Sequence, residues 1–77
     1  MLTSKDIQVG QIIEAGFWFR CGRYGGDIDH AVIVGKVIRK LECYNQVLVD
    51  VDIEKSFNPP RTSEWVELDN ADVNIIN

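Results

Sequence analysis

Histidine, cysteine and net positive charge are scarce in this chain, and each shortage removes a class of function. His30 is the only histidine, so neither a Ser-His-Asp nor a Cys-His signature can be read from spacing. Two cysteines, Cys21 and Cys43, are too few for the disulfide framework of a small secreted domain and form no CxxC pattern. Together with His30 they would supply three zinc ligands where a structural site takes four. The thiols are therefore read as reduced, and no metal or cofactor is expected. No apolar run approaches the roughly 20 residues of a membrane span. The segment Met1-Leu2-Thr3-Ser4-Lys5-Asp6 lacks the apolar stretch of a signal peptide, so the expected location is the cytoplasm. Eight basic residues against twelve acidic ones give a net charge of −4, contrary to the basic surface that non-specific nucleic-acid binding needs.

What the chain does have is branched aliphatic residues in short runs. Its 77 residues are expected to form one domain, 1–77, near the lower limit for a self-sufficient core. No stretch sustains apolar residues at helical spacing, so the reading is all-β. The first strand is expected over Val9–Ala15, reaching toward Phe19. A Gly-rich loop, Cys21-Gly22-Arg23-Tyr24-Gly25-Gly26-Asp27, follows. The second strand spans His30–Lys40, with Gly35 marking a bulge or bend. After a turn near Glu42–Asn45, the third strand runs Gln46–Glu54. Its Val47, Val49, Val51 and Ile53 share one face, and Leu48, Asp50, Asp52 and Glu54 the other. Pro59 and Pro60 exclude Ser56–Thr62 from a strand interior. The fourth strand is Glu64–Leu68, the tetrad Asp69-Asn70-Ala71-Asp72 suits one 3₁₀ turn, and the fifth strand is Val73–Ile76.

Five short strands, a long first loop and a single helical turn before the last strand resemble the Src-homology-3-like barrels. Within that group the chain is most similar to Tudor-type barrels. Val9-Gly10-Gln11-Ile12-Ile13-Glu14-Ala15-Gly16-Phe17 keeps the Val, Gly, Ala and aromatic of the Tudor first strand in register. Trp65-Val66-Glu67-Leu68, followed by Asp72-Val73, resembles the closing segment. The likeness covers Val9–Ile76 and implies a five-stranded barrel. Tudor readers of methylated residues build an aromatic cage that needs several π faces around a cation. Phe17 supplies one wall, but Ala31-Val32-Ile33-Val34 and Val47-Leu48-Val49-Asp50-Val51 supply none.

Three clusters are candidates for function. In Phe17-Trp18-Phe19 an extended backbone puts the two phenylalanines on one face and Trp18 on the other. A partner-binding surface would use such rings, with Tyr24 joining from the loop. Arg20 and Arg23 flank glycines on that loop, where bidentate contact with an anion is feasible. Asp50-x-Asp52-x-Glu54 aligns three acids, more simply a solvated face than a metal site.

The resulting expectation is a non-enzymatic protein-binding module, an adaptor or inhibitor. It would engage its partner through the loop after the first strand, with Phe17, Trp18, Arg20, Arg23, Tyr24, Asp27 and Asp29 as contacts. The profile also suits a phage- or mobile-element-encoded accessory protein. Two alternatives are a nucleic-acid-binding barrel using Arg20, Arg23, Lys36, Arg39, Lys40 and Arg61, and a homo-oligomeric subunit that self-assembles through strand edges.

Overall fold

Period-two alternation decides which face of each strand is covered. In the computed structural model, which describes residues 2–22 and 24–76, the strands are β1 (Ile12–Cys21), β2 (Asp27–Leu41), β3 (Gln46–Val51), β4 (Ser63–Glu67) and β5 (Asp72–Ile75). They form one antiparallel sheet in the order β4-β3-β2-β1-β5. Ile13 and Ala15 of β1, Ile33 and Val37 of β2, Val47, Val49 and Val51 of β3 and Val66 of β4 turn inward to one aliphatic core, joined by Ile7 and Leu68. The fold is all-β, as expected. Among the described residues there is no α-helix, only three 3₁₀ turns: Glu42–Tyr44, Ile53–Lys55 and Leu68–Asn70.

Several boundaries differ from the sequence reading, each for a local reason. β1 starts at Ile12 rather than Val9, because Gly10 takes a positive φ of 100° and the Gln11 N–H turns back to the Gln8 carbonyl. It then runs on through the aromatic triplet to Cys21, pairing Phe17 with Ala31, Trp18 with His30 and Cys21 with Asp27. The long first loop is therefore a hairpin arm whose connection is only residues 22–26. Gly22 and Gly25, both at positive φ, make that turn.

The bulge expected at Gly35 lies between Val37 and Arg39. Gly35 itself marks a close approach: a Cβ there would collide with the Asp50 carbonyl oxygen of β3. β3 stops at Val51 instead of Glu54, because the Asp52 carboxylate accepts the Glu54 N–H at 3.2 Å and starts a 3₁₀ turn. Ile53, expected in the core, is 50% exposed as a result. The row Asp50, Asp52 and Glu54 is thereby broken after its first member. The turn before the last strand is present but begins at Leu68, whose side chain is buried and anchors it.

Residues 2–8 are tied to the sheet by polar contacts. The Lys40 ammonium donates to the Ser4 and Ile7 carbonyls, each at 2.9 Å. The Ser4 N–H donates to the Asn45 side-chain oxygen at 2.8 Å. The Ser56–Thr62 segment stays outside the strands as the prolines require, apart from one bridge between Phe57 and Val32.

The sheet edges position the candidate site. β5 pairs with β1 only over Ile13–Gly16. Beyond Gly16 the arm of β1 pairs with β2 alone, and β4 pairs with β3 alone. β4 and β5 run in the same direction, and the 3₁₀ turn between them steps the chain sideways. Among the described residues no ladder joins β4 to the arm, which leaves a gap between two open strand edges.

Candidate functional site

The arm has two chemically different faces. Alternation along β1 puts Trp18 and Arg20 outward, across from His30 and Ile28. Trp18 is 70% exposed and Ile28 61%. Trp18 rests on the His30 ring, with centroids 4.7 Å apart and planes at 58°. Tyr24, at the tip, is 89% exposed. The Arg20 guanidinium reaches the Gly25 carbonyl at 3.5 Å across the same turn. Of the expected partner contacts, Trp18, Arg20 and Tyr24 are thus on the outer face or the tip. Asp27 and Asp29 are exposed at the start of β2, where the Asp29 carboxylate accepts the His30 N–H at 2.8 Å. Arg23 lies outside the described residues.

Phe17 points the other way. It meets Phe19 edge-on, centroids 6.3 Å apart, and packs against the margin of the core. Phe17, Trp18 and Phe19 of the arm, with Glu64, Trp65 and Glu67 of β4 and Asn70 of the following turn, line an open groove of about 210 Å³. A larger concavity, about 370 Å³, lies elsewhere, between Ile12, Lys36, Asp50 and Lys55. It has no ring, and its two lysines and two aspartates offset one another in charge, so the smaller aromatic groove is the better binding site.

Glu64 gives the groove its electrostatics. Its side chain is 16% exposed, and Oε2 lies 3.3 Å from Arg61 Nε. Distance permits an ion pair, but the guanidinium hydrogen is not directed at the oxygen, and buried Oε2 has no hydrogen-bond donor. Burial pushes the Glu64 carboxyl above its usual range, and the Arg61 charge pulls it partly back. Glu67 is better satisfied: Gln46 Nε2 donates to it at 3.4 Å and Asn70 Nδ2 at 2.9 Å.

Trp65, Glu64 and Glu67 were missed as site residues in the sequence. The signal was there: if Val66 and Leu68 face the core, Trp65 sits beside two acids on a four-residue stretch. What could not be read was that Phe17 and Phe19 line the same groove.

The basic residues do not form one stripe. Lys36 sits directly across from Asp50 in the β2–β3 ladder. Lys40 is paired with Glu42 at 3.2 Å and with the N-terminal carbonyls. Arg61 lies beside Glu64, Arg39 is exposed on β2, and Arg20 belongs to the arm. Cys21 shares the inward face with Phe19, whereas His30 faces outward beneath Trp18, so the two do not approach as a nucleophile and its base. Both cysteines are free. Among the described residues no three His, Cys, Asp or Glu side chains gather to hold a metal ion. No helix among them is long and apolar enough to cross a membrane. No family model matches the chain, and neither curated proteins nor solved structures yield a match.

Proposed function

We propose that this chain is a non-enzymatic protein-binding module of the cytoplasm whose partner docks on the β1–β2 arm. The observation that carries this reading is the outward Trp18, 70% exposed on a paired strand rather than folded under a loop. A tryptophan held by a ladder loses little entropy on binding, and such rings are enriched among interface anchors. Ile28 and Tyr24 extend the apolar surface, and Arg20 adds a donor at its margin. The antiparallel five-strand order with a 3₁₀ turn before the last strand supports the likeness to Src-homology-3-like barrels, a scaffold that hosts many binding functions. The engagement of Lys40 with Glu42 and the N-terminal carbonyls, and the place of Lys36 across from Asp50, support a protein partner over nucleic acid, because they leave fewer free cations for phosphates.

Affinity capture from a lysate of the source cell tests this, using tagged wild type and the Trp18→Ala/Tyr24→Ala double variant at low and high salt. Both substituted side chains are mostly exposed, so the variant should stay folded, within about 1 kcal/mol of wild type. A protein retained by wild type in high salt and lost by the folded variant is expected. Capture of nucleic acid alone, released by salt, would replace this reading with the basic-edge one. A melting temperature that collapses in the variant would place both rings in the core and end the argument.

A further inference from the structure

We infer that the groove between the arm and β4 receives one arginine side chain from an extended segment of the protein partner. The inference rests on the reading of the chain as a protein-binding module and adds the partner's chemistry on the other face of the arm. Three observations converge. Phe17, Trp18 and Phe19 of the arm and Trp65 of β4 all line the groove, and a guanidinium lies flat against such rings and is less strongly hydrated than an ammonium. The charges that line the groove, Glu64 and Glu67, are both negative, which selects a cation and repels phosphate. Finally, Glu64 Oε2 is buried without a donor, although Arg61 lies within 3.3 Å.

That orphan oxygen narrows the occupant. It calls for an N–H directed at it, which a guanidinium fork provides and a quaternary ammonium does not. Arg61 is a poor substitute, since it is 73% exposed and its Nε hydrogen is misdirected. An incoming arginine would take over the oxygen and release Arg61 to solvent. The open edges of β4 and of the arm beyond Gly16 leave room for the partner's main chain to lie alongside.

Nuclear magnetic resonance titration with N-acetyl-arginine-methylamide tests this on the intact chain, and the citrulline and trimethyllysine analogues serve as comparison probes. Saturable shifts are expected at the Trp65 indole N–H and at Phe17, Phe19 and Glu64, with arginine ahead of both analogues. Glu64→Gln, close to isosteric, should weaken arginine binding about tenfold or more, because a charge-assisted bond is lost. Trp65→Leu should do likewise, which keeps the test open if one variant fails to fold. Tyr24→Ala, at the tip of the arm and outside the groove lining, should leave the titration unchanged, so failure of the groove is read here and failure of the outer arm in the capture experiment. Absence of saturable shifts in the groove, equal binding of citrulline, or tighter binding of trimethyllysine would overturn the inference. So would a dimer in sedimentation that Glu64→Gln dissolves, since the groove would then be filled by a second copy.

Discussion

Replacing Gly35 by alanine is expected to damage this fold more than any other single methyl group added to a glycine. Gly35 sits in the middle of β2, opposite Val51 of β3. A Cβ built there would strike the Asp50 carbonyl oxygen and come within 2.7 Å of Val49 Cγ1 and 2.9 Å of the Asp50 carbonyl carbon. Carbon atoms in a well-packed interior sit about 3.5–4.0 Å apart, so the overlap approaches an ångström. The obstacle is mostly main chain of the neighbouring strand, which cannot rotate away as a side-chain tip would. β2 and β3 must part locally. Overpacking of this kind costs about 1–3 kcal/mol, and loosening one or two ladder hydrogen bonds adds about 1 kcal/mol each. A loss of about 3 kcal/mol would lower the midpoint of a domain this small by roughly 12–24 °C. Thermal melts followed by circular dichroism measure it, with Gly26→Ala as the control. No atom lies within 4 Å of a Cβ at Gly26, and its φ is not positive. That variant should melt within a few degrees of wild type, or slightly higher, since alanine narrows the unfolded ensemble. If Gly35→Ala melts as close to wild type as the control does, the β2–β3 approach is looser than described and the reasoning fails.

Two further outcomes follow from single polar groups. Lys40→Met keeps the aliphatic stem but removes the bonds to the Ser4 and Ile7 carbonyls and the ion pair with Glu42; it should cost about 1.5–3 kcal/mol. Amide exchange should quicken at Asp6, whose N–H is held by the Thr3 carbonyl, and unchanged exchange there would refute the pinning role. Glu64 sets a pH dependence: burial raises its carboxyl above 4.5 in the fold, against the pull of Arg61, so the folded state holds this proton more tightly than the unfolded one. Stability from this group is therefore present below 4.5 and lost as pH rises through the raised value. Glu64→Gln should melt higher than wild type near neutrality, and the gap should close on acidification through that window. A gap that is constant with pH would show that the carboxyl is not desolvated.

The patterns read correctly in the sequence were those whose cause is local. The valines at 47, 49 and 51 face one way because a pleated strand alternates every residue. Phe17 and Phe19 oppose Trp18 for the same reason. Pro59 and Pro60 stay out of the sheet because they lack N–H groups. The boundary errors arose where a short-range polar contact overrode the apolar pattern. Ile53 continues the valine alternation by spacing, yet the Asp52 carboxylate caps a turn and lifts it into solvent. Val9 fits a strand by composition, yet Gly10 turns the chain first.

Half of the candidate site was legible: the aromatic triplet, Tyr24 and the arginine beside them. Its context was not, because glycines around position 25 read equally as a long loop or as a tight hairpin. Only the pairing of residues 17–21 with 27–31 decides between them. Trp65 and Glu64 escaped notice because their meaning depends on Phe17 and Phe19, more than forty positions away in the chain.

Alone, then, the order of residues determined an all-β chain of five strands with a 3₁₀ turn before the last, since strand propensity and period-two burial act over a few neighbours. Tertiary structure decided which cations are engaged, where the sheet leaves two edges open, and which rings line the groove between them. Those are properties of distance between segments, and no local preference encodes them. Lys40 is a basic surface residue by sequence and a clasp on residues 4 and 7 in space.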